Sequence, residues 1–482
     1  MVFEHPARFG RATFEATARF GGATFQGIAW FELTTFCADA VFQAVTFDEG
    51  ARFEGTTFAG EARFEGATFV GDAGFGTATF ASEAGFGWTT FEALAFFEGT
   101  TFQHDVQFQL ATFKTTPVLG SFRCAGQVVL SSGVFGGPVT LSFAARRLEC
   151  QRTRWHSTAE VRLRYAMVDF ARAVFEYPLT ITAEPDPFVL VGGEQLAEDL
   201  FTGAPDAAVR MASLRGVDAA HLVLANVDLQ GCLFTGTVHL DQLRLEGICS
   251  FATVPARMHW RARRPVRFTR RRVLAEEHHW RARQTSAVRG WNVGVFGAGQ
   301  VGPEQLEPVY RQLRKAVEDG KNEPGAADFY YGEMEMRRHG RAGVSRAERG
   351  LVHGYWVLSG YGLRASRALG WLVAAMLVSI VLLMGFGLPK NVPQQEVSGT
   401  VPPGGGRITF EIDTVEPQNP TGHRFTGDRF ERALNVTLNS VVFRSSGQDL
   451  TTAGIYVEMA SRVMEPILLG LAVLAVRNRL KR

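Results

Sequence analysis

Phenylalanine recurs through the first quarter of the chain at a fixed spacing, which constrains the fold more than any other feature. Intervals of six and five residues alternate without interruption from Phe3 to Phe113. A small side chain stands two residues before nearly every phenylalanine, as in Ala12-Thr13-Phe14. Alternation of inward and outward side chains is the periodicity of a β-strand, so the small residue and the phenylalanine point inward.

A pattern that repeats at this spacing indicates structural units stacked on one another. Two intervals make eleven residues, which is also the period of a hendecad coiled coil. The segment is rich in Gly, Thr and Phe, however, and these residues form helices poorly. Very short strands that turn at fixed corners are therefore the better interpretation.

Two further segments, Ala62-Arg63-Phe64-Glu65-Gly66 and Ala67-Thr68-Phe69, resemble the Phe-centred form of the pentapeptide-repeat proteins. That resemblance implies a mainly β fold, a right-handed quadrilateral β-helix with 22 residues per coil. Coils stack at about 4.8 Å, so residues 1–117 would form about five of them. One interior column would contain Phe3, Phe25, Phe47, Phe69, Phe91 and Phe113, and the structural core would include Phe14, Phe25, Phe36, Phe47, Phe58, Phe69 and Phe80.

The pattern returns in degraded form after the regular block. Residues 118–200 keep short runs of β-forming residues with longer corners, and apolar residues then recur at intervals of five from Leu214 to Phe234. We expect a degenerate continuation of the β-helix over 118–255, a basic linker over 256–302 and a helical hairpin over 303–350. Pro303–Asp319 and Pro324–Arg338 would be the two helices of that hairpin, which is often found between pentapeptide repeats and membrane spans.

The formal net charge of +2 conceals an uneven distribution. Residues 1–117 hold 14 acidic and 6 basic side chains, whereas residues 256–290 are rich in arginine. Arginine-rich segments bind nucleic acid or anionic lipid in some proteins. Glu276 and Glu277 lie within this one, which favours an internally paired surface. The five cysteines have no paired spacing, which fits single thiols in a reducing compartment.

The repeat is already under way at Phe3, so the first coil has no evident cap. An uncapped β-helix end exposes unpaired strand edges. Two interpretations stay open: this end pairs with a second copy of the chain, or the gene start has been placed too late.

Two apolar segments follow in the second half of the chain. Residues 368–388 contain no charge and are long enough to span about 30 Å of hydrocarbon. A second segment runs from about 453 to 476, and basic residues precede the first segment and follow the second. Positive residues stay on the cytoplasmic side. We therefore expect a multi-pass bacterial inner-membrane protein with a membrane module over 351–482, an outer loop over 390–450 and both termini in the cytoplasm.

Two spans joined by a long loop weakly resemble the two-helix potassium channels. The resemblance implies a pore helix over 430–440 and a filter over 443–450. The candidate pore residues are Thr437, Ser440, Arg444, Gly447 and Asp449. The segment lacks the run of carbonyl groups, typically Thr-Val-Gly-Tyr-Gly, that selects potassium. A degenerate, channel-like module is the better interpretation.

Three charged residues, Glu458, Arg462 and Glu465, fall in the second apolar segment. Charged groups inside a membrane mark functional sites by default. Three interpretations stay open: the span begins after Glu458, Glu458 and Arg462 form an i, i+4 ion pair, or the charges serve permeation or sensing.

Gly297, Gly299 and Gly302 form a GxGxxG motif ahead of a helix-forming stretch, which is the pattern of a dinucleotide-binding turn. Such a site requires a second strand after the helix, and the chain instead continues with another helix-forming segment. We interpret the motif as a chance occurrence.

No nucleophile–base pair, metal cluster or complete nucleotide site is evident in the sequence, so we expect no catalysis and no cofactor. The working hypothesis is a membrane-anchored interaction or sensory scaffold. The alternatives are an oligomeric two-span pore and an NAD(P)-dependent membrane-associated oxidoreductase. The expected partners are the lipid bilayer, further copies of the chain and a cytosolic protein on the β-helix surface; nucleic acid is not expected.

Overall fold

The computed structural model divides into two compact units, Met1–Ala342 and Gly343–Arg482. The structure describes residues 1–255, 259–261, 264–266, 270–284, 290–291, 299–340, 345–390, 395–398, 411–414, 418–419, 422–442, 444 and 447–480.

A parallel β-helix of about 11 turns forms most of the first unit. In the regular part, each strand pairs with the strand 22 residues further on, as Phe3 pairs with Phe25 and Phe25 with Phe47. The expected quadrilateral β-helix is therefore confirmed. The strands of the regular part each contain two residues: Val2–Phe3, Ala7–Arg8, Thr13–Phe14, Ala18–Arg19, Thr24–Phe25, Ala29–Trp30, Thr35–Phe36, Ala40–Val41, Thr46–Phe47, Ala51–Arg52, Thr57–Phe58, Ala62–Arg63, Thr68–Phe69, Ala73–Gly74, Thr79–Phe80, Ala84–Gly85, Thr90–Phe91, Ala95–Phe96, Thr101–Phe102, Val106–Gln107 and Thr112–Phe113.

Stacked phenylalanine rings fill the interior of the regular part. The ring centroid of Phe58 lies 5.1 Å from that of Phe36 and 4.6 Å from that of Phe80, with nearly parallel planes. Such pairs stabilise a core beyond the area they bury. The core residues Phe25, Phe36, Phe47, Phe58, Phe69 and Phe80 are all buried, and Phe14, in the first coil, is half-buried.

Every second corner is a tight β-turn. At the first of these, the N–H of Ala12 donates to the carbonyl of Phe9 at 2.9 Å, and Arg11 between them has a φ of 61°. A positive φ at this turn position favours glycine. Two bulky residues nevertheless occupy equivalent corners on successive coils, namely Trp88 (φ 57°) and Leu110 (φ 60°).

Long strands occur among the two-residue strands after Phe113. The expected short runs with longer corners are wrong for Val118–Val129, which continues through a corner as one strand of 12 residues with two register shifts. A β-bulge bends a strand without ending it. The remaining strands of the β-helix and of the short antiparallel pairs after it are Val134–Phe135, Val139–Glu149, Arg154–Trp155, Ala159–Arg164, Met167–Asp169, Val174–Phe175, Leu179–Ala183, Arg210–Ser213, Leu222–Ala225, Arg244–Glu246, Ala252–Thr253, His259–Arg261, Arg264–Val266 and Arg272–Val273.

An excursion between Leu179–Ala183 and Arg210–Ser213 leaves the β-helix and returns along its side. Glu198 in this excursion accepts hydrogen bonds from Arg164 Nη2 at 2.9 Å and from the hydroxyl of Tyr165 at 2.8 Å. A short 3-10 helix, Asp199–Phe201, follows it, and a second, Leu240–Gln242, lies later in the β-helix.

The described residues of the first unit also include the helices α1 (Ala275–Ala282), α2 (Pro303–Asp319) and α3 (Glu323–His339). Helices α2 and α3 pack together as the helical hairpin. The apolar residues that face its interior, Leu306, Tyr310, Leu313 and Val317, are buried and join the core of the β-helix.

In the part of the second unit that the structure describes, the helices are α4 (Arg346–Ser359), α5 (Ala365–Leu382), α6 (Gly427–Val441) and α7 (Thr452–Leu480). Helix α5 continues as a π-helical turn, Leu383–Gly387, and an antiparallel pair joins Gln395–Ser398 to Glu411–Thr414. Two helical segments, Ala365–Gly387 and Thr452–Arg477, are long and apolar enough to cross a membrane.

Candidate functional site in the C-terminal unit

The two long apolar helices meet where the first ends and the second begins. Thr451 donates its backbone N–H to the carbonyl of Gly387 at 3.0 Å and its hydroxyl to the carbonyl of Phe386 at 2.6 Å. Its hydroxyl also accepts from the N–H of Gly454 at 3.2 Å, so Thr451 caps the start of α7. One side chain thus joins the end of the first segment to the start of the second.

Helix α6 covers the predicted pore helix and packs against both long helices. Its Arg429 donates to three carbonyl groups at the end of the first segment, those of Met384 and Leu388 at 2.8 Å and of Pro389 at 3.1 Å. The last carbonyl groups of a helix have no partner within it. Arg429 supplies such partners and holds α6 against the first segment.

The candidate pore residues divide into two groups. Thr437 and Ser440 are buried, and their hydroxyls donate to carbonyls one turn earlier in α6, those of Ala433 and Val436, at 2.9 Å each. The candidates after α6 are exposed, namely Arg444, Gly447 and Asp449, and Gly447 has a φ of 63°. Residues 443, 445 and 446 of the predicted filter lie outside the described residues. The two groups are therefore not brought to one common surface of the chain.

The three charges of the second segment are also separated. Arg462 Nη2 lies 3.1 Å from Glu458 Oε1, which is the expected i, i+4 ion pair. Glu465 is instead fully buried, and its Oε1 accepts from the hydroxyl of Ser379 on α5 at 3.1 Å. Its Oε2 is also buried and has no hydrogen-bond partner among the residues that the structure describes. Ser379 was not predicted as a site residue from the sequence, although a serine within an uncharged apolar segment could have indicated one.

A half-open groove of about 720 Å³ separates the middle parts of α5 and α7, and Glu465 and Ser379 both line it. Small side chains lie along both helices, among them Ala374, Ala375 and Ala460, while the larger Trp371 and Tyr456 also line the groove. The volume falls within the range of about 300–1,000 Å³ that is typical of small-molecule sites. One carboxylate in an otherwise apolar groove is the arrangement that could fix the orientation of a ligand.

The described part of the glycine motif, from Gly299 to Gly302, does not form a recognisable nucleotide site. Gly297 lies outside the described residues, Gly299 is exposed with a φ of 67°, and Gly302 immediately precedes α2. Gly302 donates its N–H to Gln305 Oε1 at 3.3 Å, which caps the helix. The element after α2 is the helix α3, where a dinucleotide-binding fold has a strand.

Two side chains of the arginine-rich segment, Arg271 and Arg281, belong to a buried ion cluster in the first unit. Glu277 on α1 is fully buried and pairs with Arg271, with Arg281 and with the hydroxyl of Tyr310. Burial opposes the ionisation of Glu277, but the two arginines outweigh it and lower its pKa to about 2. The neighbouring Glu276 accepts from the backbone of Phe234 and from the backbone and hydroxyl of Thr235, and burial raises its pKa. Both glutamates fasten α1 to its surroundings.

The remaining titratable side chains indicate no metal site. Among the described residues, no group of three or more His, Cys, Asp or Glu side chains could hold a metal ion. All five cysteines are free thiols; Cys124, Cys150 and Cys232 are buried, while Cys37 is exposed. Burial raises the pKa of Cys124 to about 12, so this thiol is unreactive at neutral pH.

These features define a class: a protein with a four-sided parallel β-helix followed by two helices that are able to cross a membrane. Residues 34–79 match the family described as pentapeptide repeats (9 copies), so the repeat block of this chain is a pentapeptide-repeat segment. No curated protein matched the chain, and no solved structure matched it either.

Proposed function

We propose that this protein is a non-catalytic scaffold, anchored in the bacterial inner membrane by α5 and α7, whose β-helix binds a protein partner in the cytoplasm. The inward side chains of the β-helix are used for packing, so binding must involve its outward positions. The proposed orientation, with both termini in the cytoplasm, rests on the basic residues that flank the two apolar segments.

The observation that carries the proposal is the pair of bulky residues at left-handed corners. Trp88 is 57% exposed and Leu110 is 45% exposed, and they occupy equivalent corners of successive coils. A non-glycine residue with a positive φ costs about 1–3 kcal/mol. Exposed tryptophan is also the residue most enriched at binding hot spots. The same left-handed conformation recurs at other corners, such as Arg11 and Thr77. Positions 88 and 110 differ in placing two large apolar side chains in solvent on successive coils, which supports a role in recognition.

Photo-crosslinking in cells tests the binding surface. A photoreactive benzoylphenylalanine at position 88 should give a discrete adduct with another protein, and the Leu110→Ser substitution should reduce its yield. The matched control carries the same group at Thr57, an outward position on a flat face. Absence of any adduct at position 88, or equal adducts at both positions, contradicts the proposed surface.

Extraction and protease access test the membrane anchor. The full chain should stay in the membrane fraction at alkaline pH, and proteases should reach the β-helix in inverted vesicles but not in intact spheroplasts. Release by alkali contradicts the anchor, and digestion in intact spheroplasts contradicts the orientation.

The position of α6 favours a second candidate, an oligomeric pore. A short helix held by Arg429 between the ends of two long apolar helices is the arrangement that a two-helix channel requires. Such a pore needs about four subunits to surround a path. Planar-bilayer recording of purified protein, together with its oligomeric state in nanodiscs, tests this candidate; a monomer without conductance rules it out.

A further inference from the structure

We infer that the groove between α5 and α7 binds an amphipathic organic amine, whose ammonium group pairs with Glu465 and whose apolar body lies between the helices. The inference concerns a ligand site in the membrane unit and goes beyond the scaffold role. It uses the membrane placement proposed above, which the alkaline extraction tests separately.

The carboxylate of Glu465 defines the charge of the ligand. It is fully buried midway along the Thr452–Arg477 segment, where an ionisable group is costly and is retained mainly for function. Ser379 satisfies Oε1 alone, and Oε2 has no partner among the described residues. The nearby guanidinium of Arg462 pairs with Glu458 instead. A cationic donor that enters the groove would supply the missing partner.

The walls of the groove define the body of the ligand. Apart from Ser379, Ser461 and Glu465, the lining consists of aliphatic side chains, one methionine and two aromatic residues, Trp371 and Tyr456. Such walls offer one charged contact and apolar surface elsewhere. A small inorganic cation would leave the apolar walls unused, and a neutral lipid chain would leave Oε2 unpaired. A compact apolar group that carries one ammonium would both contact the apolar walls and pair with Oε2 of Glu465.

Equilibrium dialysis of the full chain in nanodiscs tests the inference with two probes of the same shape, 1-aminoadamantane and the neutral 1-adamantanol. Empty nanodiscs correct for partition into lipid. We expect saturable binding of the amine and at least tenfold weaker binding of the alcohol. The Glu465→Gln substitution should weaken amine binding roughly 10- to 100-fold, as expected for a hydrogen bond to a charged group.

Two further variants make the result independent of folding defects. Glu431→Gln removes an exposed carboxylate from α6, outside the groove lining, and should leave amine binding unchanged. Ala374→Phe fills the groove at an exposed position, keeps Glu465 intact and should abolish binding. Equal binding of amine and alcohol, equal binding by wild type and Glu465→Gln, or no saturable binding by folded wild type overturns the inference. Saturable binding that appears only after dilution dissociates an oligomer would show that a second copy fills the groove, and this also overturns it.

Discussion

Gly387 and Gly454 bring the two long apolar helices of the C-terminal unit into direct backbone contact. A methyl group built on Gly454 would lie 2.4 Å from the carbonyl oxygen of Gly387, and one built on Gly387 would lie 3.0 Å from the α-carbon of Gly454. Small residues permit such close helix contacts in membranes, where packing replaces the hydrophobic effect as the main attraction. This contact and the Thr451 hydrogen bonds beside it form the junction of the two segments.

The Gly454→Ala substitution should destabilise this unit by about 1–3 kcal/mol, because the added methyl group has no space at the junction. Melting of the helical circular dichroism of the full chain in detergent measures the loss. The control is Gly470→Ala in the same helix, where a methyl group meets no atom within 4 Å. Equal melting of the two variants would show that the close contact is not required.

The Glu277→Gln substitution should destabilise the first unit by roughly 3–5 kcal/mol. Glutamine keeps the shape of the side chain but leaves the buried guanidinium of Arg271 without a counterion, and breaking a buried ion pair on one side costs about this much. Denaturant unfolding measures the change in free energy. Glu318→Gln, at an exposed position of α2, is the control and should be neutral. A neutral Glu277→Gln variant would contradict the structural role of the cluster.

Acid should remove the contribution of Glu277 to the free energy of unfolding. Its folded-state pKa of about 2 lies below the ordinary value of 4.5. A lowered carboxyl pKa stabilises the folded state above pH 4.5, and the stabilisation is lost as the pH falls towards 2. The difference in unfolding free energy between wild type and Glu277→Gln should therefore shrink over this range. A difference independent of pH would mean that Glu277 is not held ionised by its partners.

The Phe58→Ala substitution should destabilise the β-helix by about 3–5 kcal/mol, since Phe58 is fully buried between two stacked rings. Phe14→Ala should cost less, because Phe14 in the first coil is half-buried. Thr57→Ala, next to Phe58 but directed outward, is the control. Denaturant unfolding of each variant measures the change in free energy. Equal losses of stability for Phe14→Ala and Phe58→Ala would show that the first coil is as well covered as the interior.

The order of elements could be predicted because each has a strong local signal. The phenylalanine spacing predicts short stacked strands with fixed corners, since a strand and a corner are both defined within one repeat, and the resemblance to pentapeptide repeats implies the four sides. The two helices of the hairpin follow from proline positions and an apolar stripe that ends with Val317. The strand Val118–Val129 was missed because a β-bulge, unlike a glycine turn, leaves no local residue pattern.

The sequence by itself determined the repeat, the two apolar segments and the identity of the charged residues within them. Only the tertiary structure decided which partner each charged residue has. Arg462 pairs with Glu458 in its own helix, whereas Glu465 accepts a hydrogen bond from Ser379 on α5. The tertiary structure also decided that Glu277 on α1 meets Arg271 and the hydroxyl of Tyr310 on α2. Contacts of this kind join residues distant in the chain, so they depend on how helices and coils pack and not on the local sequence.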